Sequence, residues 1–328
     1  MGHPDEPAVA GSSPHRPLNY KAVPVTRPTS LGKVLSAGLG RISRAALTKP
    51  RATPPPAVVL EFGPRSIDRE GMAEYQRLIG YPVSDAVPTG WVHVMAFPLH
   101  LTLMARPDFP LPPLGMVHVR NTVRHLRAIA APEQLTFACW AENLRPHKRG
   151  ATIDIYVSAS VGQELVWQGV STYLAKGGIA PDAAAHTLSG KSEVPKGPLG
   201  DLTVTRHALA PEDLPEELPG HHRWSIPKGI GRAYAEVSGD SNPIHTNALA
   251  AKVFGFRAPI AHGMYTAARA LAEVPHGDSF TWSVDFYSPI TPPKKVTFEF
   301  GEADGGAGTI MRVTSRAKIH LVAEVTGA

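Results

Sequence analysis

The chain runs through one order of predicted elements twice, and this repeat is the strongest constraint on its fold. Each half is predicted to contain an apolar helix, over 97–104 and then over about 262–271, followed by four strand-like runs. These runs cover 116–126, 135–142, 151–160 and 164–174, and then 280–287, 296–301, 309–316 and 319–325. A helix wrapped by a curved antiparallel sheet buries one face of each element, and two such units can pair edge to edge. We therefore predict an α+β fold of two similar halves.

Shorter elements precede each apolar helix. In the first half the pattern predicts a strand over 58–62 and a helix over 69–79. The second half is predicted to begin with a strand over 202–208, followed by helices over about 228–237 and 247–254.

Composition divides the 328 residues into five segments. Residues 1–18 are polar and rich in Pro, Gly and Ser, and we expect a disordered tail there. Residues 19–56 are predicted to form a basic extension with a short amphipathic helix over 30–47. Residues 177–200, rich in Gly, Ala, Pro, Ser and Lys, indicate a linker between folded units over 57–176 and 201–328.

Several classes of protein are excluded by composition. Hydrophobic residues make up 43% of the chain, enough for a real core, yet no apolar run approaches the roughly 18 residues of a membrane span. The one cysteine, Cys139, excludes a disulfide framework and points to a reducing cytoplasm. The net charge of +5 comes from dispersed basic residues without interleaved aromatics, so we predict no nucleic-acid partner.

The segment most suggestive of chemistry is Ser238-Gly239-Asp240-Ser241-Asn242-Pro243-Ile244-His245. Gly239 and the Asn242-Pro243 pair predict an irregular loop that carries a carboxylate and an imidazole five positions apart. Such a pair can exchange protons near neutral pH. Alternatively, Asp240 and Asn242 simply cap a helix that starts near His245. On composition alone both interpretations stay open.

A second segment, Ala261-His262-Gly263-Met264, is predicted to begin the second apolar helix. A glycine there leaves its backbone N–H open to approach, and a helix N-terminus favours developing negative charge. This is the composition of an oxyanion site for a thioester carbonyl. It favours the chemical interpretation of the preceding loop.

The two segments resemble a known family. The runs YAEVSGDSNPIH, from Tyr234 to His245, and FGFRAPIAHGM, from Phe254 to Met264, are similar to the signature of MaoC-like, (R)-specific enoyl-CoA hydratases. Those proteins have the hotdog fold. Runs in the first half, among them FPLH from Phe97 and ENLRPH from Glu142, are similar to the degenerate first hotdog of two-hotdog members. The resemblance therefore implies a double hotdog in which residues 201–328 are catalytic.

The resemblance implies roles residue by residue. Asp240 and His245 match the pair that activates water, Asn242 matches a residue that supports the pair by hydrogen bonding, and the Gly263 N–H matches the oxyanion donor. The reaction would be reversible hydration of a trans-2-enoyl-CoA to an (R)-3-hydroxyacyl-CoA. Five neighbours are predicted to bind the substrate, with His262 shaping the pocket rather than carrying a proton: Ser238, Pro243, Ala261, His262 and Met264.

The first half has no equivalent of the Asp–x–Asn–Pro–x–His run, since Asp85 is not followed by a histidine five residues later. In the family this half makes room for the acyl chain, so the resemblance implies a medium or long chain here. We expect His100, His118 and His147 to be structural or surface residues. No set of histidines has metal-ligand spacing. We predict neither a metal nor a cofactor beyond the coenzyme A or phosphopantetheine of the substrate.

Three alternatives to the hydratase remain. A hotdog thioesterase would direct Asp240 and its water at the carbonyl carbon, and a dehydratase of fatty acid or polyketide synthesis would take its acyl group from an acyl carrier protein. A non-catalytic acyl-thioester binding module is disfavoured, because pure binding needs no proton carriers. The family resemblance also implies a homodimer.

Overall fold

The computed structural model describes residues 16–29, 53–180 and 214–327, apart from positions 18, 114, 179, 216, 304, 305, 307 and 317. The tail over 1–18, the helix over 30–47, the linker over 177–200 and the strand over 202–208 lie wholly or largely outside the described residues.

Eleven strands are described. In chain order they are β1 (Lys21–Pro24), β2 (Val58–Ser66), β3 (Met116–His125), β4 (Gln134–His147), β5 (Gly150–Val161), β6 (Glu164–Lys176), β7 (Gly220–Ile226), β8 (Phe280–Phe286), β9 (Lys294–Glu302), β10 (Gly308–Ser315) and β11 (Lys318–Gly327).

Six helices accompany them among the described residues. These are α1 (Arg69–Ile79), α2 (Thr89–Met104), α3 (Ile230–Ser238), α4 (Pro243–Thr246), α5 (Ala248–Val253) and α6 (Gly263–Ala272). The α1 helix shows how the sequence sets such bounds. The Asp68 carboxylate accepts a hydrogen bond from the Gly71 N–H at its start, and Gly80 ends it in the left-handed conformation with φ of 77°.

The strands form one continuous sheet in which the two halves share the same topology. The order is β1-β2-β4-β5-β6-β3-β8-β11-β10-β9-β7. Counted from β2 in the first half and from β7 in the second, the first strand pairs with the third, and the second strand pairs with the fifth. The sequence repeat thus corresponds to a structural repeat, which is the arrangement expected of a double hotdog.

The halves join where β3 pairs antiparallel with β8. At this junction Val123 lies opposite Trp282, and both are fully buried. Arg120 lies opposite Asp285, and the guanidinium Nε is 2.6 Å from the carboxylate Oδ1. Apolar packing and a half-buried ion pair therefore fix how the halves sit against each other.

The prediction differs from the structure in four places. The first apolar helix begins at Thr89, eight residues before the predicted start, because Pro88 precedes a continuously buried run. The strand over Gly220–Ile226 was not predicted, since four of its residues are exposed or half-buried polar ones. The strand Lys21–Pro24 lies in the predicted extension but pairs parallel with β2. The four strands after each helix are not a simple meander, since β3 and β8 lie at the far edge of their halves.

The core runs through both halves. One cluster of buried side chains includes α2, through Leu99 and Leu103, and α6, through Ala267 and Leu271. The α2 helix is apolar on nearly all sides because the first half surrounds it. None of the described helices is long and apolar enough to cross a membrane.

Truncating this core is expected to destabilise the whole protein. Leu99→Ala removes a fully buried side chain from α2 and should lower the free energy of unfolding by roughly 2–5 kcal/mol. Urea unfolding followed by circular dichroism measures the change. Leu249→Ala, at a side chain that is 74% exposed, is the control and should change stability by less than about 0.5 kcal/mol. Equal effects of the two substitutions would contradict the placement of α2 in the core.

Candidate active site

The loop that follows α3 begins with a left-handed glycine. Gly239, with φ of 72°, ends the helix and turns the chain. The Asp240 N–H then donates to Ser238 Oγ at 3.2 Å, and the Asn242 N–H donates to Asp240 Oδ1 at 3.2 Å. The second of these bonds holds the Asp240 carboxylate by one oxygen, Oδ1. Its Oδ2 has no hydrogen bond among the described residues.

Asn242 caps α4 with its side chain and supports Asp240 with its backbone N–H. Its side-chain Oδ1 accepts a hydrogen bond from the Ile244 N–H at 3.3 Å, which makes it the N-cap of α4. Its backbone N–H is the donor to Asp240. The helix-cap interpretation of the sequence therefore fits the Asn242 side chain, whereas Asp240 does not cap α4.

His245 lies on α4 with a defined tautomer. Its Nδ1 is 2.8 Å from the Ile260 carbonyl oxygen. Since a carbonyl accepts but cannot donate, Nδ1 carries the proton, and in the neutral ring Nε2 is a free acceptor. Gly231 of α3 permits this placement, because a Cβ there would lie 2.2 Å from the His245 carbonyl oxygen.

His262 braces both members of the pair. Its Nε2 donates to the Asp240 carbonyl oxygen at 2.9 Å and lies 3.7 Å from Asp240 Oδ2. Its ring stacks on that of His245 with centroids 3.6 Å apart and an interplanar angle of 24°. His262 is buried, at 3% exposure, and lines the same cavity as Asp240 and His245.

Gly263 begins α6, so its N–H has no partner within the helix. The His262 side chain does not cap this end. A Cβ on Gly263 would lie 2.8 Å from Cε1 of Phe286, which shows how closely that ring on β8 approaches the backbone. The helix N-terminus thus offers a backbone donor beside the Asp240–His245 pair.

One cavity of about 340 Å³ contains this loop and is lined by both halves. Eight of the nine residues predicted for the site line it: Ser238, Asp240, Asn242, His245, Ala261, His262, Gly263 and Met264. Pro243, the first residue of α4, does not. The first half adds residues that sequence reasoning missed or assigned elsewhere, among them His93, Phe97, His118 and Tyr173. Two histidines seven positions apart in the apolar α2, His93 and His100, were the signal available for these.

The three histidines predicted to be structural fall into different environments. His100 is buried, and its Nδ1 is 3.0 Å from the Tyr173 hydroxyl. His147 is exposed at the end of β4. His118 lines the cavity instead, so its assignment to structure or surface alone is incomplete.

Burial moves the pKa values of the pair towards each other. It raises the pKa of the Asp240 carboxyl, with His245 opposing the shift. It lowers the pKa of the His245 imidazole, with Asp240 opposing. Burial and the neighbouring His245 also hold the pKa of His262 well below its ordinary range, so this ring stays neutral near pH 7.

Asp240, His245 and His262 each place one donor atom within 4.8 Å of the others. Such a set could suit a metal, but Nδ1 of His245 and Nε2 of His262 already donate to backbone carbonyls. The same spacing leaves room for one water between the Asp240 carboxylate and the His245 ring. That no metal is used stays a prediction.

Several known proteins are similar to this chain in sequence and in structure. Residues 231–323 match the family model described as the MaoC like domain. The 3-hydroxyacyl-thioester dehydratase X of Mycobacterium tuberculosis is 32% identical over 305 residues, which cover 92% of this chain and all of the relative. The crystal structure of HtdX from the same organism is 30% identical, with a TM-score of 0.66, over 82% of this chain and 100% of that one.

A further solved structure bears on the fold alone. A conserved hypothetical protein of M. tuberculosis, described as a double hotdog fold, is 12% identical with a TM-score of 0.50. It covers 82% of this chain and 95% of its own. The double hotdog predicted from the sequence is thereby confirmed.

The fold and the site together define a hotdog protein with an aspartate and a histidine beside a helix N-terminus. The chain belongs to the MaoC-like dehydratase family. The predicted enzyme class, a hydro-lyase, is confirmed by this membership.

Burial of His262 has a measurable consequence. In ¹⁵N-histidine NMR spectra recorded from about pH 8 to 5.5, its signal should stay that of a neutral ring with Nε2 protonated, because its pKa lies well below the ordinary value of about 6.5. His262→Gln assigns the signal. A titration midpoint near pH 6.5 would contradict the buried position of His262 against Asp240 and His245.

Proposed function

We propose that the protein dehydrates (R)-3-hydroxyacyl thioesters to trans-2-enoyl thioesters and catalyses the reverse hydration. The observation that carries the proposal is the convergence of Asp240, His245 and the Gly263 N–H on one cavity. The name of the relative, a 3-hydroxyacyl-thioester dehydratase, supports the substrate class. The R configuration follows from the resemblance to (R)-specific hydratases.

In the hydration direction a water lies between the Asp240 carboxylate and the His245 ring. One member of the pair takes a proton from this water as its oxygen bonds to the β-carbon. The C2–C3 double bond opens, and the resulting enolate oxygen is stabilised at the Gly263 N–H. The α-carbon then receives a proton from the pair. Because the two groups are coupled, the steps are assigned to the pair and not to one member.

We also propose that the two halves have different roles. Residues over 201–328 supply the acid–base pair and the oxyanion donor. The first half supplies apolar walls for the acyl chain, including Val94, Leu101, Met104 and Met116. A chain of medium or greater length would extend along these walls.

Two exposed cations, Arg149 and Lys176, line the same cavity and suit the phosphates of a thioester carrier. The Lys176 Nζ lies 5.3 Å from the centroid of the Phe256 ring, which holds the ammonium at the cavity. Coenzyme A and the phosphopantetheine of a carrier protein share this chemistry. The homodimer and the cytoplasmic location stay predictions.

Purified protein should hydrate trans-2-enoyl-CoAs to the (R)-3-hydroxy product, resolved by chiral chromatography across several chain lengths. Asp240→Asn and His245→Ala should each lower kcat by roughly 10²–10⁴-fold, because each removes a proton-transfer group. Asp278→Asn and His221→Ala, exposed residues outside the cavity, are the matched controls and should retain activity.

Other outcomes select the alternatives. Release of free coenzyme A without hydration would indicate a thioesterase. Tight acyl-CoA binding without turnover would indicate a binding module. Turnover of acyl-carrier-protein substrates alone would make the protein a carrier-dependent dehydratase.

The value of kcat/KM should fall as the pH is lowered. Protonation of either member removes the base, and burial raises the Asp240 pKa while lowering that of His245. The apparent pKa of this limb should therefore lie between the ordinary values of about 3.9 and 6.5. Initial rates at low substrate from about pH 4 to 9 measure it. An acid limb centred above pH 7 would argue against this pair as the base.

A further inference from the structure

Polar side chains interrupt the cavity wall that the first half contributes. His93 comes from α2, His118 from β3 and Tyr173 from β6, and all three line the cavity that holds Asp240. An unsubstituted hydrocarbon chain gains nothing from imidazoles, which cost free energy to bury. The wall is therefore more polar than a saturated acyl chain requires.

His93 is the clearest case. It is buried, at 5% exposure, and its ring contacts those of Phe97, His100 and His118. Among the described residues no hydrogen bond reaches either of its nitrogens. Burial lowers its pKa to about 4, so near pH 7 the ring is neutral and has one donor and one acceptor.

His118 adds a second unsatisfied atom. Its ring stacks with those of Tyr173, at 4.8 Å between centroids, and His93, at 5.9 Å. Its Nε2 is buried without a hydrogen-bond partner among the described residues. In a neutral imidazole such a nitrogen is a donor or an acceptor, according to the tautomer.

His100 shows what a structural histidine looks like in the same helix. It is 1% exposed, and the Tyr173 hydroxyl satisfies its Nδ1 at 3.0 Å. Buried polar groups in native proteins are normally paired in this way. His93 and the Nε2 of His118 have no such partner among the described residues and line the cavity, so they are available to a ligand there.

The position of His93 places that partner on the substrate. Its ring lies in the cavity of the acid–base pair and experiences the charge of Asp240. It comes from the first half, whose apolar residues Val94, Leu101, Met104 and Met116 line the same cavity. A hydroxyl can donate to one imidazole and accept from the other, so it fits both rings.

We propose that His93, backed by His118, determines specificity by binding a hydroxyl or keto oxygen that the acyl chain carries beyond the β-carbon. The proposal rests on the proposed function, since it assumes an acyl thioester in this cavity. It narrows the substrate class to oxygenated acyl chains.

The test compares hydration of trans-2-decenoyl-CoA with that of its 5-, 6- and 7-hydroxy derivatives. The wild-type protein should favour at least one derivative by about tenfold in kcat/KM, the worth of one added hydrogen bond. His93→Leu should abolish the preference by lowering kcat/KM for that derivative at least tenfold more than for the plain chain. His93→Asn, which keeps a donor and an acceptor, should restore part of it.

His221→Leu, at an exposed histidine on β7, is the matched control and should keep the wild-type preference. A wild-type preference for the plain chain over every derivative would overturn the proposal even if no variant folds. Equal losses for plain and hydroxylated chains in His93→Leu would also overturn it, because His93 would then act on the reacting atoms. Absence of hydration of every substrate would instead refute the proposed function.

Discussion

The pairing of β3 with β8 is the interaction on which the rest of the structure depends. It joins two halves that each wrap a helix, and it merges their sheets into one. The Arg120–Asp285 ion pair lies in this junction, and the next residue, Phe286, packs against Gly263. The Phe286 ring is also 5.4 Å from that of His118. The same strand pairing that completes the fold therefore brings the first half against the site in the second.

The starts of the two central helices differ in the space that surrounds them. In the second half the central helix starts at Gly263, beside an open cavity. In the first half the corresponding helix start lines a smaller cavity, of about 60 Å³, and its first residues are engaged in packing. The Thr89 hydroxyl accepts a hydrogen bond from Trp167 Nε1 at 2.8 Å, and the Tyr75 hydroxyl sits against Gly90. Asp85 is exposed and pairs with Arg69.

Most of the secondary structure could be predicted from the sequence because its signals are local. Alternation and β-branched content predicted β3 to β6 and β8 to β11 to within a few residues, and the bounds of α1 were predicted without error. Prediction failed where the local pattern misleads. The β7 strand carries exposed histidines and an arginine, and β1 gains its place through pairing with β2. Sheet order and the parallel edge depend on distant partners, which no local period records.

The sequence by itself determined the chemistry that lies close together in the chain. Asp240 and His245 are five residues apart, and Gly239 and Gly263 take their roles from local backbone geometry. The tertiary structure alone decided which tautomers His245 and His262 adopt, because their acceptor carbonyls belong to Ile260 and Asp240. It also decided that His93 faces the site while His100, on the same helix, does not. A histidine in an apolar helix has the same local pattern in both cases. Only tertiary contacts, such as that between His100 and Tyr173, distinguish a satisfied core residue from a residue of the cavity wall.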